Sequence, residues 1–278
     1  MCVNGTPATP DRRLNHQILA TVSVVLFEYG PLFSKDTQLL RKGPISANFL
    51  ARSARQLHAV YLLADSDHAP SGWSLYRSLL ERYLLYVHLC QKNEWAVFDD
   101  WCFKKYYEIE NRIRSSLDLK SKPEVQPRDF VQKGKDRYLR VSKDPEVESW
   151  RRPDPETVAR SLDLKFLYDA GYDYASGLVH PISTGGYNDY LRLMGRKDEV
   201  QEEGPAVLVE DSQLVVIMHL QHFLNEPEFN WRNVVYDLVD ALRRAIKNPE
   251  GDMLTPLSKV LCLSRTGQGL AQATGRSG

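Results

Sequence analysis

The 278-residue chain is short of cysteine, of net charge and of long apolar runs, and each shortage closes off a class of proteins. Its four cysteines, Cys2, Cys90, Cys102 and Cys262, stand far apart and form no C-x-x-C pair. That pattern excludes zinc ribbons and offers no disulfide framework, so a reducing cytoplasm is the expected compartment and Cys90 and Cys102 are expected not to pair. Lys and Arg number 36 against 36 Asp and Glu, so no global field steers the chain to nucleic acid. The longest apolar runs, Ala20 to Phe27 and Leu214 to Leu220, fall well short of a bilayer span. The polar, proline-bearing first residues do not read as a signal peptide. The Gly-rich phosphate loops, the G-x-S-x-G elbow and the H-E-x-x-H zinc motif are also missing, so neither a cofactor nor a metal is implied.

The remainder is an ordinary globular composition, 42% hydrophobic and 26% charged, with ample length for a core. Residues 1–11 carry Gly5, Pro7 and Pro10 and read as an N-terminal arm. Apolar residues then recur at helical spacing over 14–29 (Leu14, Ile18, Val22, Val25, Leu26), with Gly30-Pro31 as the expected stop. A second helix is predicted over 45–64, with Ser46 as N-cap and Phe49, Leu50, Leu57, Val60, Tyr61 and Ala64 as its buried stripe. The third, over 73–92, is the most apolar and therefore central. A fourth over 94–117 is rich in aromatics, and the short link between them implies an antiparallel hairpin.

Residues 120–155 break the pattern with Pro123, Pro127, Pro145, Pro153 and Pro155, leaving room for one short helix near 128–140. Between Trp101 and Arg152 stand 14 Lys and Arg against 9 Asp and Glu. The usual meaning of that excess is an exposed, solvated excursion; contact with RNA phosphates is the other reading. Helices over 155–162 and 166–179 follow, then a loop over 182–205, helices over 211–225 and 231–247, and a loose tail from 249 to 278. The expectation is an all-α, antiparallel bundle of seven or eight helices, one domain over 12–248. A homodimer is among its possible assemblies.

The most unusual segment runs from Tyr168 to Pro181. On a regular helix Asp169, Asp173, Ser176 and His180 fall at i, i+4, i+7 and i+11 and share one face, while Phe166, Leu167, Ala170, Tyr174 and Leu178 serve the core. Pro181 ends the helix, which places His180 in the negative field of its C-terminus and favours the imidazolium. A buried hydrogen-bond network and an anion-binding or proton-transferring site both fit this stripe. The third helix offers a facing pair, Arg77 and Glu81. Two charges in the most apolar helix need partners, unless they are an exposed i, i+4 pair, and the stripe supplies them: Glu81 to His180, and Arg77 to Asp173 or Asp169. His219 and His222 form an H-x-x-H pair, but no Glu stands three residues before any His, as a di-iron bundle requires. They read as core or surface histidines.

Three elements occur in a characteristic order: Arg77-Ser-Leu-Leu-Glu81, the aromatic Lys104-Lys-Tyr-Tyr107, and Tyr172-x-x-Ser176-x-x-x-His180-Pro181. Together they resemble the DUF5677 family of uncharacterised bacterial proteins, over about 45–181. The resemblance implies a helical fold and brings no established activity. A looser similarity links the chain to HEPN-type helical domains, many of them RNases in defence and toxin systems, whose pattern is Arg, four to six residues, then His. Both Arg82-x5-His88 and Arg52-x5-His58 fit that spacing, whereas Asp173, Tyr174 and Ala175 stand where an Arg would have to precede His180.

The reading that follows is a cytoplasmic binding or interaction module with a polar centre of Arg77, Glu81, Ser176 and His180. Stress or phage defence is one biological setting for it. The rival is a metal-independent, HEPN-like RNase with His180 or His88 as general acid–base, and a scaffold acting through its aromatic fourth helix is a third.

Overall fold

The computed structural model describes residues 12–33, 41–66, 68–115, 129–179, 186–196, 199–200, 205–225, 240 and 243–244. The expected arm over 1–11, the tail over 249–278 and most of the helix over 231–247 lie outside the described residues. The described chain is all-α, with no strand among these residues. Its helices are α1 Arg12–Phe33, α2 Lys42–Ala64, α3 Ala69–Lys92, α4 Trp95–Ser115, α5 Asp129–Val141, α6 Pro145–Ser149 and α7 Pro155–Ser161. A helical stretch follows in three parts: α8 Lys165–Leu167, a π-helical segment Tyr168–Asp173, and α9 Tyr174–Val179. α10 Tyr187–Leu193 and α11 Pro205–Leu224 complete the set.

The chain divides into two compact units, one of residues 1–87 with 154–278 and one of residues 88–153. In the first unit α2 packs against α1 and α11. Its stripe buries Leu50, Leu57, Val60 and Tyr61 as the periodicity predicts. α3 contributes the largest fully buried side chains, Tyr76, Tyr83, Tyr86, Leu79, Leu80 and Leu84. At roughly 1.5–3 kcal/mol for each large apolar side chain removed from water, this helix supplies much of the driving force for the unit. One neighbouring pair is parallel. A Cβ on Gly72 meets Leu208, and Tyr83, eleven residues on, meets His219 and His222, so α3 and α11 run the same way.

The second unit holds most of the predicted excursion, and the part described is packed. The helix expected near 128–140 forms as α5. Tyr107 of α4 stacks on Tyr138 of α5 with ring centres 4.3 Å apart, and Arg137 lies over Phe103. Trp150, after α6, packs on Phe98 and Trp101 and donates its indole N–H to Glu94 at 2.9 Å. Pro155 opens α7, as the helix expected over 155–162 has it, whereas Pro145, which reads as a helix breaker, is instead the first residue of α6. A proline is tolerated there because its missing N–H has no intrahelical partner to lose. Asp144 caps the Glu146 N–H, and Asp154 caps the Thr157 N–H, both at 2.9 Å.

Three further expectations change. α1 continues through Gly30-Pro31 as far as Phe33, the last described residue of this stretch. Ser46 is no N-cap: α2 begins at Lys42, and the buried Ser46 lies inside the helix. The stretch read as a loop over 182–205 contains α10, which follows Gly186 in the left-handed conformation at φ 84°.

Candidate functional site

Two elements of the first unit build the site, α3 and the helical stretch from Lys165 to Val179. α3 carries Arg77 and Glu81 one turn apart, with side chains 23% and 30% exposed, so both are screened from bulk water yet reachable from it. The opposing stretch departs from α geometry at Tyr168–Asp173, where the π segment adds a residue to the turn. Gly171 makes this approach feasible. A Cβ there would lie 2.3 Å from the ring of Tyr76, which is fully buried. The Tyr76 hydroxyl donates to the Leu167 carbonyl at 3.3 Å, where the π segment begins.

The register shift changes which side chains face inward. Leu167, Gly171, Tyr172 and Ala175 are buried, whereas Phe166, Tyr174 and Leu178, expected in the core, are exposed. Tyr174 nevertheless sets its ring edge-on to Trp73, with centres 5.0 Å apart. The i, i+4, i+7, i+11 stripe assumes an unbroken α-helix, and the extra residue removes that basis. Asp169 and Asp173 are exposed, and Asp169 pairs with Lys165.

Tyr172 takes the place expected for those carboxylates. Its hydroxyl donates to Glu81 Oε1 at 2.8 Å and accepts from Arg77 Nη2 at 3.1 Å. Arg77 Nε closes the triangle by donating to the same Oε1 at 3.2 Å. The guanidinium also lies 4.7 Å from the centre of the Tyr172 ring, and Tyr168 stacks on that ring at 4.7 Å. Burial, then the hydrogen bond to Glu81, pushes the Tyr172 phenol up to about 12, so it stays a donor at neutral pH. Burial works against the Arg77 charge, but Glu81 and Tyr172 outweigh it and hold its pKa above the usual value.

Of the four residues singled out from the sequence, Arg77 and Glu81 meet at this centre. Ser176 sits one turn beyond Tyr172 and donates its hydroxyl to the Tyr172 carbonyl at 2.7 Å, a back-bond within its own helix. His180 lies outside the described residues, as does any pairing with Glu81; α9 ends at Val179, immediately before it. Tyr172 is the member that the sequence offered only within the Tyr172-x-x-Ser176 motif, without the central role. The available signal was Gly171 beside it, in a segment where glycine is otherwise costly.

The HEPN-like spacing does not gather its residues. Six positions turn a helix by about 240°, so Arg82 and His88 leave α3 on different sides. Arg82 donates to Ser53 and Gln56, while His88 lies 3.5 Å from Glu94. His219 is fully buried, its Nδ1 3.2 Å from Ser53 Oγ, and His222 meets the Tyr83 hydroxyl at 3.1 Å. Among the described residues no three His, Cys, Asp or Glu side chains are grouped to hold a metal ion. Cys90 and Cys102 form no disulfide with each other, and burial pushes Cys102 up to about 11, away from the reactive thiolate. Several cations of the basic stretch are tied to carboxylates: Arg137 to Asp99 and Asp100, Lys104 to Glu148, and Lys105 to Glu108. No helix among the described residues is long and apolar enough to cross a membrane.

The model of a family of unknown function, DUF5677, matches residues 45–199, a span that includes most of α2, all of α3 and the whole π segment. The chain belongs to the DUF5677 family. The Arg77–Glu81–Tyr172 triangle therefore lies inside the DUF5677 region, whereas α11 lies beyond it. No curated protein and no solved structure matches the chain.

Proposed function

We propose that this DUF5677 protein is a binding module whose recognition centre is Arg77, Glu81 and Tyr172, completed by Ser176 and His180. The convergence of both α3 charges on one tyrosine hydroxyl carries the reading. A purely structural helix contact has no need of two partly exposed charges at its boundary, since apolar residues of the same volume pack there without the desolvation cost. The π segment that delivers Tyr172 adds to this, because single π turns are found disproportionately at functional sites. The centre offers a fixed cation, a carboxylate and a phenol within one hydrogen-bonded triangle. That set suits a partner presenting both donors and acceptors.

The test compares wild type with Glu81→Gln and Tyr172→Phe, which keep side-chain volume and remove the carboxylate or the hydroxyl. Partners crosslinked in cells are expected to be lost from both variants while each purified variant melts within a few degrees of wild type. Unchanged partners would sink the reading, as would variants that simply fail to fold. Purified wild type is also expected to leave a mixed RNA pool intact. Cleavage that falls by roughly 10²–10⁴-fold in His180→Gln, the usual worth of a general acid–base, would replace the binding module with a metal-independent nuclease.

A further inference from the structure

Beyond the Arg77 centre and independently of it, we infer that α4 is a dimer face: a second copy of this chain docks on Tyr106, Ile109 and Ile113, with the two α4 helices parallel. These three large apolar side chains remain exposed, at 44%, 50% and 44%. Their spacing is i, i+3, i+7, so they form one seam along the C-terminal half of the helix. α4 packs within its own unit through a different side. Arg137 of α5 lies over Phe103, and Tyr138 of α5 stacks on Tyr107. At 3.6 residues per turn, Phe103 and Tyr107 point roughly 100° away from the seam. A helix with one packed side and a separate, continuous apolar seam has surface left over for a partner.

The charges beside the seam decide the occupant and its direction. With Tyr106 and Ile113 at heptad positions a and Ile109 at d, Lys105 and Arg112 take g and Glu110 takes e. In a parallel pair each g side chain faces the e side chain five positions further along the other helix. Lys105 then faces Glu110 of the partner subunit, and two-fold symmetry makes that attractive contact twice. In an antiparallel pair g faces g and e faces e, which sets Lys105 against Arg112 and Glu110 against its own copy. Every flanking contact is then repulsive, so the charge pattern fits a parallel second copy of this helix and rejects the reversed one. Lys105 and Arg112 are exposed and Glu110 is half-exposed, so all three can be reached. Lys105 stands 3.7 Å from Glu108 of its own helix, an exposed pair worth little and readily given up. Toward the N-terminus the seam stops, because Asp99, at the preceding a position, is held by Arg137. A seam of about one and a half heptads buries little area, so the dimer is a weak, concentration-dependent one.

The experiment follows the full chain by sedimentation equilibrium from micromolar to millimolar concentration, with melting temperatures taken at the dilute end. Wild type is expected to pass reversibly from monomer to dimer. Ile109→Arg puts a cation at the middle of the seam, on an exposed position. It is expected to keep the dilute melting temperature and to weaken association roughly a hundredfold or more. Lys105→Glu is expected to weaken association roughly tenfold, because two like-charge contacts replace two attractive ones. Adding Glu110→Lys to it is expected to recover the wild-type affinity, since the same contacts form with their signs exchanged. In an antiparallel pair Lys105→Glu would face Arg112 and tighten association instead. Wild type that stays monomeric at millimolar concentration overturns the inference and leaves the seam to a different protein. So does a dimer that survives Ile109→Arg, or one that Lys105→Glu tightens. The charge exchange decides the matter even if Ile109→Arg does not fold.

Discussion

In the unit of residues 88–153, polar side chains at the packing surfaces find charged partners. Arg137 reaches Asp99 at 2.6 Å and Asp100 at 2.7 Å, Trp150 reaches Glu94, and Lys104 meets Glu148. In the unit of residues 1–87 and 154–278 the deepest polar atoms are treated otherwise. Asn15 Oδ1, Gln17 Oε1, Ser46 Oγ, Trp73 Nε1, Ser212 Oγ and His219 Nε2 are buried without a hydrogen bond among the described residues. Each such atom costs about 1–3 kcal/mol, so this unit carries a burden that the described residues of the other do not. The difference teaches where to look for function. The smaller unit is an aromatic and ionic clasp with no unsatisfied buried side-chain polar atom among its described residues, and the Arg77–Glu81–Tyr172 centre falls in the unit that tolerates such atoms.

The largest expected effect breaks the clasp. Trp150→Ala removes a ring packed on Phe98 and Trp101 together with the indole bond to Glu94, and is expected to cost about 3–5 kcal/mol. Hydrogen exchange is the measurement. If the units are cooperative on their own, protection is lost over 88–153 and kept over α2 and α11; uniform loss would merge the two into one folding unit. Gly171→Ala comes next. Its Cβ would collide with the buried Tyr76 ring, so a loss of about 1–3 kcal/mol by chemical denaturation is expected, with the π segment disturbed first. An unaltered midpoint would mean that the two elements are not closely packed.

A pH titration sharpens the comparison from the other side. The folded pKa of His219 is depressed below its ordinary value of about 6.5, so the unfolded chain binds the extra proton between the two values. The stability contribution is complete above pH 6.5 and is lost as pH falls toward 3, at about 1.4 kcal/mol per pH unit, or about 2 kcal/mol at pH 5. His219→Gln is expected to flatten that part of the stability–pH curve, whatever it does to stability at pH 7; an unchanged slope would assign the acid sensitivity elsewhere. The smallest effect belongs to the clasp's charges. Arg137→Gln leaves two partly exposed aspartates side by side and is expected to cost about 1 kcal/mol or less, a difference that added salt should shrink.

Much of the fold was legible because apolar spacing at 3.6 residues directly reports burial. Leu50, Leu57, Val60 and Tyr61 line the inner face of α2, and the leucines of α3 are in the core. Pro145 misled where only its breaking role was considered, since Asp144-Pro145 is the capped start of α6. At the site, the pairing demand of Arg77 and Glu81 was readable, because charges in an apolar helix need partners. The identity of the partner was not. A regular helix was extrapolated through Gly171, and a one-residue π insertion rotates every side chain after it.

The sequence by itself determined the helical class, the central place of α3, the membership of the DUF5677 family and the need for something to face Arg77 and Glu81. These depend on local periodicity, on composition and on the cost of isolated charge, all of which act along the chain. Only the tertiary structure decided that Tyr172 meets both charges and that Arg82 comes to lie against Ser53 and near His219. Those choices depend on close approach between elements about 90 and 140 residues apart in the chain, where steric fit at Gly171 and the register of α3 against α11 select one pairing.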